Sequence, residues 1–141
     1  MKSLLITLGA ILLSSTASIA STLTIKVTNV KSSKGTIQVA LWDTSSGFPD
    51  DYNTAYLTKT VNASQKIVSF KNLDAGNYAV ALYHDKNNDE KLNTNFLGIP
   101  KEGFGFSNNP LILTGPPSFN KAKITLKKSI DKTQVIKLKH F

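Results

Sequence analysis

Apolar residues in this chain recur at every second position, and no window carries the three-and-four spacing of an amphipathic helix of ordinary length. Leu23, Ile25 and Val27 alternate with Thr24, Lys26 and Thr28, and Ile37, Val39 and Leu41 alternate with Thr36, Gln38 and Ala40. Successive side chains of a strand point to opposite faces, so this pattern buries one face and wets the other. The polar run 31–34 ending in Gly35 is a turn signal, and it predicts that these two strands pair as a hairpin. Further strands are expected over 56–61, 66–70, 77–84, 121–127 and 133–139, with a turn of helix around 50–57. In the segment 77–84 both faces are apolar, Tyr78, Val80 and Leu82 on one and Ala79, Ala81 and Tyr83 on the other, which places it centrally in a sheet. About seven short strands separated by turns describe an all-β chain folded as an antiparallel β-sandwich.

Between Asp85 and Phe119 the alternation stops. This segment holds four of the eight glycines and four of the five prolines, and only Leu111 to Leu113 looks like a short strand. Long connections inside a compact domain tend to be functional or disordered. Phe96, Leu97, Ile99, Phe104, Phe106 and Phe119 argue against disorder, so an ordered loop region, 85–119, with its own small core is expected.

The first twenty residues have the three-part layout of a secretory signal peptide: Lys2, an apolar run from Leu4 to Leu13, and a small polar stretch closing with Ser18, Ile19 and Ala20. Cleavage after Ala20 leaves one domain, 21–141. An apolar run of about ten residues is half the roughly twenty needed to span a bilayer, and no later segment is long enough either. The expectation is export to the periplasm or the extracellular space, with no transmembrane segment after signal cleavage. With no cysteine, the fold has neither disulfides nor a lipidated cysteine and rests on its core. All seventeen basic residues are lysine, and none is the arginine that reads phosphates and bases bidentately. Nucleic acid is therefore not an expected partner. The net charge of +8 admits a weak attraction to anionic envelope polymers or lipid headgroups, beside the plainer reading of a lysine-rich solvated surface.

HDKNNDEKLNTNF, from His84 to Phe96, places oxygen-bearing side chains at Asp85, Asn87, Asp89 and Asn93, with Lys91 able to offer its backbone carbonyl. Calcium loops use such alternation because a hard cation takes six to eight oxygens. Glu90 stands at the position where such loops have a turn glycine, and Phe96 where they have a bidentate glutamate. The competing reading is a polar turn, since Asp and Asn bond their own backbone and tolerate left-handed conformations. His84 and His140 are the only histidines, too few for a diagnostic zinc or copper site. No GxSxG elbow, HExxH helix or phosphate-binding glycine loop occurs. An enzyme here would be a small envelope hydrolase assembled from His84, Asp85 and Glu102.

FKNLDAGNYAVALYHD, from Phe70 to Asp85, resembles the strand, turn, strand signature of prealbumin-like and immunoglobulin-like sandwiches of secreted bacterial proteins. Leu73, Gly76 and Tyr78 fill its apolar, turn and aromatic places, with Gly76 free to take a positive φ. The longer run HDKNNDEKLNTNFLGIPKEGFGFSNN, followed by GPPSF, resembles the family called domain of unknown function 2141. These are small exported bacterial proteins, and the resemblance runs from about Leu23 to Leu138. In that family's pattern Gly is usual at Glu90 and Asp at Asn93. The resemblance implies no activity, but it implies that 84–95, 98–109 and 115–119 gather at one end of the sandwich, where loops carry binding functions. The ligand-contacting candidates there are His84, Glu102, Phe104, Phe106, Ser107 and Asn108, beside the cation candidates Asp85, Asn87, Asp89, Lys91 and Asn93. Phe104 and Phe106 alternate with Gly103 and Gly105, which lets the backbone approach another surface closely. The function expected is that of a cell-envelope binding or structural module, with calcium as its one candidate cofactor and an envelope protein, a glycan or a small ligand as its partner.

Overall fold

The computed structural model describes residues 19–141, so the predicted signal segment lies outside the described residues apart from its last two positions. The strands are β1 (Ser21–Thr28), β2 (Thr36–Trp42), β3 (Leu57–Asn62), β4 (Ile67–Leu73), β5 (Gly76–Asp85), β6 (Phe104–Phe106), β7 (Ile124–Leu126) and β8 (Lys132–Lys137). A 3-10 turn spans Tyr52–Thr54, and a single helical turn, α1, spans Phe119–Ala122. One sheet has the order β4-β1-β8; the other runs β3-β2-β5-β6, with β7 also pairing β5. Every pairing is antiparallel except that of β1 with β8, the first strand with the last. The result is the expected β-sandwich. No helix among the described residues is long and apolar enough to cross a membrane.

The predicted hairpin of β1 and β2 does not form, because the two strands lie in different sheets. Alternation satisfies either arrangement: two strands burying one face each can lie side by side or face to face across a core. Gly35, with φ +76, carries the chain from one sheet to the other. Residues 121–127 also divide, into the end of α1 and the short β7. Leu111 to Leu113 form no strand, whereas Phe104–Phe106 do.

Two cores result. The first lies between the sheets and joins Leu23 and Ile25 of β1, Ile37, Val39 and Leu41 of β2, Phe70 of β4, Val80 and Leu82 of β5, and Ile136 of β8. The second covers the outer face of the larger sheet with Ala40, Trp42, Ala81, Tyr83, Phe104 and Phe106, against which Phe48, Tyr52 and Phe119 pack. Trp42 meets Phe48 and Tyr52 edge-on at 5.2 and 5.3 Å, and its Nε1 donates to Thr54 Oγ1 at 3.1 Å. The two apolar faces of β5 are thus explained, since each faces its own core. Among the described residues every strand and both cores fall within 21–141, a length that suits independent folding.

Candidate functional site

β5 delivers His84 and Asp85 to the loop end of the sandwich. Neighbours on a strand point to opposite faces, so these two side chains diverge. His84, on the face of Val80 and Leu82, sets Nε2 2.7 Å from the Lys34 carbonyl and so carries its proton there. Asp85, on the face of Ala81 and Tyr83, is fully buried, and its two oxygens accept the amides of Asp89 (3.1 Å) and Glu90 (2.9 Å). Left-handed Asn88 (φ 56) and Glu90 (φ 60) close the curl around that carboxylate. Glu90 therefore holds the conformation that glycine adopts freely, at a cost of about 1 kcal/mol.

Glu102 fastens the far side of the curl, with Oε1 accepting from the Lys86 amide at 3.0 Å and Oε2 from the Asn93 amide at 3.1 Å. Beyond it the chain makes a small hairpin over 93–101, held by Lys101 N to Asn93 O at 2.8 Å and Asn95 N to Ile99 O at 2.9 Å. Of the three side chains named for a hydrolase, the structure does not bring His84 and Asp85 onto one face. His84 and Asp85 face apart, and both carboxylates already accept backbone amides through each of their oxygens.

At the exposed lip of the curl, Asp89 Oδ2 accepts the side-chain amides of Asn93 (2.8 Å) and Asn87 (3.0 Å), while Oδ1 accepts the Lys91 amide at 3.0 Å. The bond from Asn93, and after it those from Asn87 and Lys91, hold the Asp89 carboxyl below its ordinary range. Of the cation candidates, the structure brings Asn87, Asp89 and Asn93 together. Asp85 turns inward to the backbone, and the Lys91 N–H donates to Asp89. Among the described residues no three His, Cys, Asp or Glu side chains are placed to hold a metal ion. Any cation here would depend on the asparagines, whose amide ends exchange oxygen for nitrogen by a flip that moves no other heavy atom.

Of the remaining candidates, Phe104 and Phe106 both pack and border open space, lining a groove on the outer face of the larger sheet. Phe104 and Phe106 are buried in the outer core, and the surface that their glycines approach is the chain's own: a Cβ on Gly105 would come within 2.6 Å of Ile136 Cγ2. Ser107 is buried, with its Oγ accepting from the Val80 amide at 2.9 Å and donating to the Ala122 carbonyl at 2.5 Å. The Asn108 side chain donates to the Lys121 and Lys123 carbonyls. Gly76 has no positive φ; the left-handed residue of that corner is Asn72 (φ 59).

Sequence reasoning missed a groove of about 730 Å³ across the outer face of the larger sheet, between the 3-10 turn and the curl. Its lining includes Gln38 and Thr60, Asp50 and Tyr52, and Tyr83 and Glu90. Asp50, Asp51 and Tyr52 stand together in the sequence as a polar cluster, but nothing there ties them to Glu90. Burial first, and then the charges of Asp85, Glu102, Asp89 and Glu90, push the Tyr83 hydroxyl up to about 12. The folded protein thus keeps this proton where an unfolded tyrosine, near pH 10, loses it, so stability falls as pH rises from about 10 to 12. Unfolding in urea across this range, beside a tyrosinate absorbance titration, should show that loss. Tyr83→Phe should lessen it, and an unchanged alkaline slope in that variant would contradict the assignment.

Fold and site together define a two-sheet β-sandwich whose one end is a self-fastened, polar-lipped loop region beside an open groove. The chain belongs to the family described as uncharacterized protein conserved in bacteria, DUF2141, whose model matches residues 25–134. No curated protein and no solved structure matches it.

Proposed function

We propose that this protein is an exported module of the cell envelope that binds a ligand and does not transform one. The observation that carries this is the state of the loop carboxylates. Asp85 and Glu102 each accept a backbone amide through both oxygens, so they are engaged in fastening the curl whose Glu90, Lys91 and Leu92 line the groove. The pattern of Lys2, the apolar run after it and Ala20 supports export. A prealbumin-like or immunoglobulin-like ancestry is supported by Tyr78, whose hydroxyl donates to the Asp74 carbonyl four residues back at 2.9 Å, as the tyrosine corner of such sandwiches does.

Asn87, Asp89 and Asn93 form a weak position for calcium at the lip of the loop. With a single carboxylate among them, affinity belongs in the range of extracellular modules, roughly 0.1 to 1 mM. The test is thermal unfolding of the processed protein, whose first residue should be Ser21, in chelator and in calcium. At ten times the dissociation constant the gain is about 1.4 kcal/mol, a rise of about 5 °C, lost in Asp89→Ala. A melting temperature indifferent to calcium, and to magnesium and zinc, removes the ion from the proposal. A mature protein that still begins at Met1 removes export.

A further inference from the structure

The hairpin 93–101 holds its most exposed apolar side chains at its tip. Phe96 is 95 % exposed and Leu97 is 68 % exposed, yet the backbone beneath them is fixed. Asn95 Oδ1 accepts the amides of Leu97 (2.9 Å) and Ile99 (3.0 Å). The neighbouring loop likewise exposes Leu111 and Leu113, and the last residue, Phe141, is exposed as well. Between the two loops lies a hollow of about 530 Å³ bordered by Ile99, Leu113 and Phe141. Single exposed apolar residues are ordinary, but several large ones on adjoining loops at one end mark an interaction surface.

Charge decides what covers it. The lysines of this end are Lys91, Lys101, Lys137 and Lys139, whereas Lys127 and Lys132 lie at the other end beside Ser21 and Leu23; the exposed acids nearby are Glu90 and Asp89, whose carboxylate is engaged by Asn87, Asn93 and Lys91. The Glu102 carboxylate accepts two backbone amides, and that of Asp131 accepts the Thr22 amide at 2.7 Å. Exposed Lys91 and Lys101 flank the hairpin, and no acid lies between them. Lys137 and Lys139 run beside the second loop, since Asn109 Oδ1 accepts the Lys137 amide and Lys139 Nζ donates to the Pro110 carbonyl. One acid, Asp50, borders the hollow.

We infer that this end of the protein docks on an anionic lipid bilayer, with Phe96 and Leu97 entering the boundary between headgroups and acyl chains and the lysines meeting the headgroup charge. Apolar insertion and electrostatic attraction are each weak alone and sufficient together. A second copy of the chain fits less well, because it would set like charge against like, and side chains projecting from loop tips offer no flat self-complementary patch. The inference goes beyond the groove and the cation position and depends on neither.

The test uses the chain from Ser21, which holds every strand and both cores of the described residues, so that the apolar run near the amino terminus plays no part. It is sedimented with vesicles of phosphatidylglycerol and phosphatidylcholine, and with vesicles of phosphatidylcholine alone. Binding to the anionic vesicles is expected, about tenfold weaker on the neutral ones and weakened by salt. A Phe96→Asp, Leu97→Asp double variant should lose binding about tenfold at an unchanged melting temperature. In Phe96→Trp, brominated acyl chains should quench the introduced indole, since native Trp42 is fully buried and stays silent. Absence of sedimentation, full binding by the double variant, or salt-sensitive binding without quenching each overturns the inference. So does a dimer in solution that the double variant dissolves while vesicles go unbound.

Discussion

Gly35→Ala is expected to lower stability by about 3 to 4 kcal/mol, which for a domain of this size is a fall of about 10 °C or more in melting temperature. The residue has φ +76, and a Cβ there would press on the Asp85 carbonyl oxygen and lie 2.7 Å from Lys86 Cα. Both neighbours are backbone, so neither can swing aside as a side-chain end would. Gly98→Ala is the control, because Gly98 has φ +78 but nothing within 4 Å of a Cβ. That variant should show only the conformational cost of about 1 to 2 kcal/mol. Urea unfolding of both separates the two contributions, and equal losses would mean that the crowding against Asp85 is relieved cheaply.

Asp85→Ala should cost a comparable amount, about 3 to 5 kcal/mol. It leaves the amides of Asp89 and Glu90 without the buried carboxylate they share, and a hydrogen bond to a charged acceptor contributes about 1.5 to 3 kcal/mol. Asp85→Asn keeps one carbonyl oxygen as acceptor and should recover about half of that, which gives a readable variant should the alanine form fail to fold. The decisive comparison is between chelator and calcium. A loss of the same size in both identifies Asp85 as the fastener of the curl. A loss that grows in calcium would make its oxygens ligands, and would move the cation inward from Asp89.

How far the residues announced this arrangement differs from place to place. The period of two announced the strands, and the two-faced pattern of 77–84 announced the central position of β5, but not the second core that covers its outer face. It could not say whether β1 lies beside β2 or opposite it, because burial of one face is the same in either case. Phe104, Phe106 and Phe119 rightly predicted a loop region packed by apolar residues, but Phe96, Leu97 and Ile99 join no core and stand exposed, and the Phe-Gly-Phe run hid a strand behind its glycines. The spacing of Asp85, Asn87, Asp89 and Asn93 predicted a curl of oxygens. Whether a lone pair accepts a backbone amide or an ion depends on where left-handed residues such as Asn88 turn the chain, and composition does not contain that. The groove was illegible for a simpler reason: its walls come from segments far apart in sequence.

The parallel pairing of β1 with β8 has a kinetic consequence. Leu23 sits opposite Lys132 and Thr28 opposite Lys137, so the smaller sheet cannot be completed before β8 has been made. Until then β1 and β4 can form only a two-stranded ribbon with both edges bare, too little for a stable sheet. The sandwich as a whole is thereby completed late, after every strand of the larger sheet has been made.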